Sequence, residues 1–252
     1  MGDGNDEDAH KVEAASINEI IKEVSEIADK FPFNDKEKHF RKEIISLVSK
    51  VNTDTLGLQL PSKMPSNIPF KVLAGNVYKK STKFESSVFV FPKSGNKLPF
   101  HDHPNMEGFI KALKGKLLIT SFSLLNSEEE KRLRKEEFKE GNEKVRPAKF
   151  EGTLLLDATT TTASSPSEVV NLNALTGNIH SIESIDGLGA FFDILIPGYH
   201  QAHGNVPCTF FEMDEKNLTS GKIYWLKVVP ANLIPNLVSM GKLEMPSIVQ
   251  LD

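Results

Sequence analysis

The apolar residues near the start of the chain recur with the spacing of a helix. Between residues 17 and 28 they fall three or four positions apart, with Glu and Lys between them: Ile17, Ile20, Ile21, Val24, Ile27 and Ala28. A second set with the same period follows a Phe-Pro-Phe stretch: Phe40, Ile44, Leu47, Val48 and Val51. This pattern predicts two amphipathic helices, the first capped by Ser16 or Asn18. We assign residues 1–60 to a helical extension that packs on the rest of the chain and carries no chemistry.

Beyond residue 60 the apolar runs shorten to the length of strands. They alternate with Gly, Pro and Asn, and they predict strands at 70–77, 87–91, 109–113, 117–124, 153–156, 169–172, 191–196, 209–213 and 223–229. Many short strands divided by turn residues are typical of an all-β barrel or jelly roll. We therefore predict one all-β domain over residues 61–252.

Two segments interrupt these strands. Residues 127–143 are densely charged, with Leu133 and Phe138 as the only large apolar side chains. Such a segment predicts an exposed helix or a mobile insertion with a solvated face. Residues 158–167 are rich in Thr and Ser and predict a loop.

Charge and composition narrow the class of protein. The 252 residues carry a formal net charge of -4 at pH 7, which argues against nucleic acid as a partner. The longest apolar runs, such as Val88–Phe91, are too short to span a membrane, and the acidic first eight residues do not resemble a signal peptide. A single cysteine, Cys208, excludes an intrachain disulfide and fits a reducing compartment. We expect a cytoplasmic monomer that binds neither nucleic acid nor membrane.

Three of the seven histidines stand in settings that indicate a metal site. His101 and His103 are separated by one residue, and on an extended strand such residues point to the same face. His180 follows a glycine-containing turn and enters a strand. Inside a barrel each imidazole nitrogen needs a partner, and one metal ion can satisfy two rings at once. We interpret His10 and His39 as ordinary solvent-facing or hydrogen-bonded side chains.

The motifs around these histidines resemble those of the cupin superfamily. The segment Gly95–Gly115 reads Gly-x5-His-x-His-x3-Glu-x7-Gly, and residues 177–180 read Gly-Asn-Ile-His. Three strings further resemble the cysteamine dioxygenase and plant cysteine oxidase family: His-Asp-His-Pro-Asn-Met at 101–106, Gly-Asn-Ile-His at 177–180, and Asp-Ile-Leu-Ile-Pro-Gly-Tyr at 193–199. The resemblance covers residues 70–230. It implies a cupin jelly-roll barrel, also called a double-stranded β-helix, with an N-terminal helical extension.

That resemblance implies a thiol dioxygenase with one Fe(II) per chain, held by His101, His103 and His180. Three facial ligands leave positions for O2 and a substrate thiolate, and both oxygen atoms would pass to sulfur to give a sulfinic acid. The implied substrate is cysteamine, the N-terminal cysteine of a peptide, or both. By the same correspondence Asp193 would hold the substrate amine, and Tyr199 would donate a hydrogen bond to oxygen or to the sulfur.

Glu107 leaves the ligand set open, because it stands where four-ligand cupins have a carboxylate ligand. If it reached the metal, the site would become three His and one Glu, with one fewer open position and a non-thiol substrate. We expect instead that Glu107 turns aside and pairs with Lys111 or Lys114 on the surface. Asp102, between two of the histidines, is expected to have a structural role.

The C-terminal part of the matching region, residues 197–210, differs from the family pattern. Phe210 replaces the tyrosine of a Cys-Thr-Tyr stretch, so Cys208 cannot form a crosslink there, and Pro197-Gly198-Tyr199 stands for Pro-Pro-Tyr. The loop 200–207 lacks the acidic stretch of the family. These differences keep a further hypothesis open, in which the cupin binds a ligand or partner without turnover. Three retained histidines argue against it, because buried imidazoles are costly to keep without a metal.

Overall fold

The computed structural model describes residues 16–31, 38–78, 83–137, 139–159, 169–199 and 208–246. The elements follow one another in this order: α1 (Ile17–Ala28), α2 (Lys38–Ser49), β1 (Val72–Tyr78), β2 (Glu85–Phe91), β3 (Lys97–His101), β4 (Glu107–Lys114), β5 (Lys116–Leu124), α3 (Ser127–Glu136), β6 (Val145–Asp157), β7 (Val169–Leu172), β8 (Ile179–Ser184), β9 (Gly189–Ile196), β10 (Phe211–Glu212), β11 (Ile223–Val228), a 3-10 turn (Ala231–Leu233), α4 (Ile234–Val238) and β12 (Met240–Lys242).

The strands form two six-stranded sheets. The first sheet has the order β12-β1-β2-β9-β4-β7, and the second has the order β10-β11-β6-β5-β8-β3. Neighbouring strands are antiparallel, except that β12 pairs with β1 in parallel. The predicted all-β cupin barrel with N-terminal helices is thereby confirmed.

The sheets enclose one hydrophobic layer, and the helices cover another. The inner core lies between the two sheets and includes Phe91, Leu98, Ile110, Leu117, Ile119, Ile182 and Phe191. The outer core lies between the first sheet and the helices and includes Ile20, Ile21, Val24, Ile44, Val48, Phe109, Phe192 and Ile194. Successive residues of a strand point to opposite faces, so Phe109 and Ile110 of β4 contribute to different cores.

Both N-terminal helices form where the apolar period predicts them. All six apolar residues of α1 are buried. Ser16 caps the helix: its hydroxyl accepts the Glu19 amide, and the Glu19 carboxylate accepts the Ser16 amide. Because α1 and α2 share the outer core with β4 and β9, they bury one side of the barrel. The boundary proposed at residue 60 stays a prediction.

The strands agree with the apolar runs except where polar residues hide the pattern. The prediction of β7 at 169–172 is confirmed, whereas β6 begins at Val145 because charged residues and Pro147 mask its first half. The run 209–213 contracts to the two residues of β10. The elements α4 and β12 were not expected, since both are short and weakly patterned.

The charged segment after β5 contains the exposed helix that its composition predicts. Asn126 caps α3 by accepting the amides of Glu128 and Glu129, and no residue of the helix is buried. Arg134 donates to the carbonyl oxygen of Val145 at 2.7 Å, so polar contacts hold α3 beside β6. Most of the Thr- and Ser-rich loop and the segment 200–207 lie outside the described residues. None of the helices described is long and apolar enough to cross a membrane.

Candidate metal centre

The three histidines meet at one end of the barrel. His101 is the last residue of β3, and the ladder places it opposite His180 on β8. Opposed residues of an antiparallel pair share a face, so these two rings lie side by side. His103 does not continue the strand as expected, because β3 ends at His101 and the chain turns towards β4. Its ring nevertheless returns to the same place, with 4.8 Å between the ring centroids of His101 and His103.

The spacing of two of the three ring nitrogens suits a metal ion. One nitrogen from each of His101, His103 and His180 lies within 4.8 Å of the others. The Nε2 atoms of His103 and His180 are 2.9 Å apart. Two nitrogens at right angles around an ion, each about 2.1 Å from it, would be about 3 Å apart. The separation of these two atoms therefore fits adjacent positions around one ion.

Burial keeps the three imidazoles neutral. All three side chains are almost fully buried. Desolvation lowers the pKa of His101 to about 4, and it lowers the pKa values of His103 and His180 well below the ordinary range. Positive charge on neighbouring rings lowers the latter two further. Neutral imidazoles have the free lone pair that a metal requires.

Hydrogen bonds at the far side of two rings select which nitrogen faces the centre. His101 Nδ1 lies 2.8 Å from the carbonyl oxygen of Pro99, to which it can only donate. The hydroxyl of Tyr199 lies 2.8 Å from His103 Nδ1. In both rings Nε2 is thus the nitrogen available to an ion. His180 Nδ1 is buried and has no hydrogen-bond partner within the described part of the chain.

The donor set is compatible with a transition metal that accepts imidazole ligands. Three neutral nitrogens from buried imidazoles suit Fe(II), Zn(II), Ni(II) or Cu(II) and disfavour Mg(II) or Ca(II), which prefer oxygen. The residues therefore fit the metal that the sequence resemblance implies, without selecting iron among the alternatives.

Asp193 lies on the inner face of the first sheet. It is opposite Ile110, an inner-core residue of β4, so its side chain points between the sheets. Burial, together with the negative charge of Glu85, raises the pKa of Asp193 to about 7. Its Oδ1 atom is buried and accepts no hydrogen bond from the residues described. A buried carboxylate oxygen without a donor is suited to a positively charged ligand group.

Tyr199 joins the site directly, since its hydroxyl contacts His103. Burial raises the pKa of this hydroxyl well above its ordinary value, and Cys208 and Asp193 raise it further. Tyr199 is therefore a neutral hydrogen-bonding group. The neighbouring Cys208 thiol is also protonated, because burial raises its pKa to about 12. A protonated thiol is a poor nucleophile and a poor metal ligand.

Asp102 bonds to the backbone of a neighbouring segment. Its carboxylate accepts the Thr209 amide at 2.7 Å, and its own amide donates to the Thr209 carbonyl oxygen at 3.1 Å. These two bonds tie the ligand-bearing turn to the chain ahead of β10. This contact is of the kind expected for a residue with a structural role.

Glu107 turns away from the histidines, but its partner differs from the expected one. It shares the face of Phe109 on β4 and therefore points to the outer core. Arg41 of α2 donates to both of its carboxylate oxygens, from Nε at 2.8 and 2.9 Å and from Nη2 at 2.5 Å. No signal in the sequence indicated Arg41, which lies 66 positions away. The carboxylate that would complete a four-ligand site is thus engaged elsewhere.

The expected pairing of Glu107 with a lysine is wrong, because both lysines bind carbonyl oxygens. Lys111 donates to the carbonyl oxygens of Ser49 and Val51, and desolvation lowers its pKa to about 8. Lys114 donates to the Leu60 carbonyl oxygen at 3.1 Å. A cation at the C-terminal end of α2 is favoured by the helix dipole. These contacts fasten the N-terminal extension to β4.

Three buried, neutral imidazoles at one end of a two-sheet barrel define a cupin with a three-histidine metal centre. The PCO_ADO family model matches residues 47–248, and the chain belongs to this family. This confirms the family that the sequence motifs indicate.

The chain is similar to two curated relatives, and one solved structure shows a weaker likeness. The chain is similar to the 2-aminoethanethiol dioxygenases of Mus musculus, at 32% identity over 181 residues, and Homo sapiens, at 31% over 184 residues. Each match covers 68% of this chain but only 66% and 64% of the respective relative, just under two thirds of its length. An RmlC-like cupin from Desulfovibrio desulfuricans has a TM-score of 0.32 and 14% identity, over 56% of this chain and 98% of that one. The fold assignment rests on the sheet order and the family match instead.

Proposed function

We propose that this protein is an Fe(II)-dependent thiol dioxygenase that converts an aminothiol to its sulfinic acid. The observation that carries this proposal is the convergence of three neutral, buried imidazoles in a member of the PCO_ADO family. Its curated relatives bear the name 2-aminoethanethiol dioxygenase. That name supports cysteamine as the first substrate to test.

The reaction balances without a further reductant. One thiol and one O2 give one sulfinic acid, so sulfur loses four electrons and O2 gains four. Iron held by His101, His103 and His180 would supply the positive charge that favours the substrate thiolate and the open positions at which the reactants meet. No organic cofactor is needed.

Tyr199 would orient one ligand and donate a hydrogen bond to the reactants. With Nε2 of His103 directed at the metal, the proton of this neutral ring resides on Nδ1 and is donated to the Tyr199 oxygen. The hydroxyl proton of Tyr199 then remains available to the substrate sulfur or to oxygen. The raised pKa of this hydroxyl supports such a role, because the group stays protonated near neutral pH.

Asp193 would bind the substrate amine. Its buried Oδ1 atom, which lacks a donor among the residues described, can accept a hydrogen bond from an ammonium group. The ammonium would in turn favour the charged carboxylate and lower its pKa from about 7. Cysteamine and an N-terminal cysteine both have a thiol two carbons from an amine, so the same contact would serve a Cys-initiated peptide.

The cellular compartment, the oligomeric state and the number of metal ligands are part of the same proposal. A single cysteine supports a reducing, cytoplasmic compartment, and a net charge of -4 disfavours nucleic acid as a partner. We also propose that the enzyme acts as a monomer. The engagement of Glu107 by Arg41 disfavours a four-ligand site acting on a non-thiol substrate.

Oxygen uptake by iron-loaded protein tests the proposal. Protein loaded with Fe(II) under anaerobic conditions is offered cysteamine, free cysteine or a Cys-initiated peptide, and each product is analysed by mass spectrometry. We expect uptake with cysteamine and a product that gains two oxygen atoms on sulfur. Ethanethiol, which lacks the amine, is the matched control for the contact with Asp193. No uptake with any thiol at one bound iron per chain would overturn the proposal in favour of a cupin without turnover.

A further inference from the structure

The ladder between β3 and β8 stops just before His103. The two strands pair as far as His101 and His180. In an antiparallel pair the partner number falls as the residue number rises, so two more steps would place His103 opposite Asn178. Both residues lie beyond the ends of their strands, because β3 ends at His101 and β8 begins at Ile179. Regular backbone pairing therefore does not extend to His103.

The side chain of Asn178 takes the place of the missing backbone pairing. Its Oδ1 atom accepts the His103 amide at 3.0 Å, and its Nδ2 group donates to the His103 carbonyl oxygen at 2.8 Å. Asn178 is 3% exposed. The carboxamide thus bonds to both buried backbone groups of His103, as a neighbouring strand would do. The His103 carbonyl oxygen also accepts the Met106 amide at 3.1 Å, whereas the Asn178 Oδ1 atom is the acceptor described for the His103 amide. Only a group with one donor and one acceptor in this geometry makes both bonds.

Asn178 lies in a turn that hydrogen bonds hold in place. Its Nδ2 group also lies 3.4 Å from the carbonyl oxygen of Asn173, and the preceding Gly177 donates its amide to the Ser123 hydroxyl at 2.9 Å. Gly177 adopts a φ of 67°, in the left-handed region that favours glycine. The contacts with Asn173 and Ser123 therefore hold the turn that carries Asn178 in place just before β8.

We infer that Asn178 is a positioning residue of the metal centre, which holds the backbone of His103 so that its ring meets that of His180. The two Nε2 atoms, 2.9 Å apart, belong to residues separated by 77 positions in the chain. Asn178 binds the backbone of one of these residues and lies two positions before the other. The inference rests on the metal centre of the proposed function and does not depend on the substrate or on turnover.

Metal binding by Asn178 variants, in the absence of any thiol, tests this inference. Co(II) is the probe, because its visible absorption reports the ligand geometry directly. Asn178→Ala removes both bonds, and Asn178→Asp keeps the acceptor while losing the donor to the His103 carbonyl oxygen. The matched control is Asn171→Ala, since the Asn171 carboxamide donates to a strand carbonyl oxygen, that of Gly108, at 3.2 Å and does not contact His103.

We expect Asn178→Ala to bind Co(II) about 10–100-fold more weakly than the unaltered protein and to show a shifted Co(II) spectrum. The Co(II) dissociation constant of Asn178→Asp should lie between those of Asn178→Ala and the unaltered protein. Asn171→Ala should keep the dissociation constant and the Co(II) spectrum of the unaltered protein. Loss of thermal stability with an unchanged spectrum and dissociation constant would show a merely structural role and overturn the inference.

The same measurements separate this inference from the proposed function. Unaltered protein that binds no Co(II) would overturn both, because the metal centre itself would be absent. Unaltered protein that binds Co(II) tightly, but consumes no oxygen with any thiol when loaded with iron, would overturn the proposed function alone. The weaker metal binding of Asn178→Ala would then still support the positioning role.

Discussion

Arg41 of α2 and Glu107 of β4 form a bidentate ion pair beneath the N-terminal helices. The Glu107 side chain is only 6% exposed. It lies next to Met106, which packs against Leu195 and Tyr199 on the metal side of the sheet. The position that could have supplied a fourth metal ligand thus connects the helical extension to the strand that follows the ligand-bearing turn.

Removal of Arg41 is expected to destabilise the protein strongly. Arg41→Met would leave the Glu107 carboxylate buried without its cation, which costs about 3 kcal/mol in the free energy of unfolding. Urea denaturation measures this change. Arg132→Met is the matched control, since Arg132 and its partner Glu136 are largely exposed on α3 and the expected change is below about 0.5 kcal/mol. Equal effects of the two substitutions would contradict the importance of the buried pair.

Glu107→Gln is expected to leave metal binding intact. The carboxylate points to the outer core and is bound by Arg41, so its charge does not reach the histidines. We expect the Co(II) dissociation constant of this variant to stay within about 2-fold of the unaltered value, while its unfolding free energy decreases. Clearly weaker Co(II) binding by Glu107→Gln would support the four-ligand alternative instead.

His180→Ala is expected to abolish tight metal binding. The variant removes one of three nitrogens, and the remaining pair should bind Co(II) more weakly by more than about 100-fold. His39→Ala is the control, because His39 is exposed and its ring contacts only Phe40 among the aromatic contacts described. Isothermal titration calorimetry of both variants checks the prediction. Metal affinity unaffected by His180→Ala would place the metal elsewhere.

Asp193→Asn is expected to stabilise the metal-free protein, and more so at high pH. The folded pKa of Asp193 is raised from 3.8 to about 7, so between these values the folded state retains a proton that the unfolded state has lost. The contribution of Asp193 to stability therefore falls as pH rises through this window. Glu85 of β2 is the titratable group that raises its pKa further, and Asp193 in turn raises the pKa of Tyr199.

Because asparagine does not titrate, the difference in unfolding free energy between variant and unaltered protein should grow by about 3 kcal/mol from pH 5 to pH 8. Urea denaturation of both proteins across this range provides the measurement, and effects of other groups cancel in the difference. A difference that is independent of pH would show that Asp193 is ionised throughout the range.

The parts of the fold that follow from local pattern were predictable. Residues close together in the sequence determine the helical period of α1, its Ser16 cap and the succession of short strands. The three histidines were predictable as a group because motif spacing carries information about strand register that hydrophobicity alone does not. The structure brings His101, His103 and His180 together, although His103 leaves the strand on which it was expected.

The remaining contacts depend on distances along the chain that no local pattern reports. Arg41 and Glu107 are 66 positions apart, and neither has a sequence feature that selects the other. No strand span was predicted for β3 or β8. β3 has only five residues and contains Pro99, whereas β8 contains His, Ser and Glu where other strands are apolar. The contact between Asn178 and His103 becomes visible only when the register of β3 and β8 is known.

Because His103 and His180 are 77 positions apart in the chain, a metal ion bound by both would also oppose unfolding. The chain between them contains β4 to β7 and α3. An ion bound by both rings would close this stretch into a loop, as a disulfide does between two cysteines. Parting β3 from β8 would then require a metal–nitrogen bond to break, whereas the metal-free barrel is held there by hydrogen bonds and packing. Metal occupancy would in this way set the unfolding lifetime of the barrel as well as its reactivity.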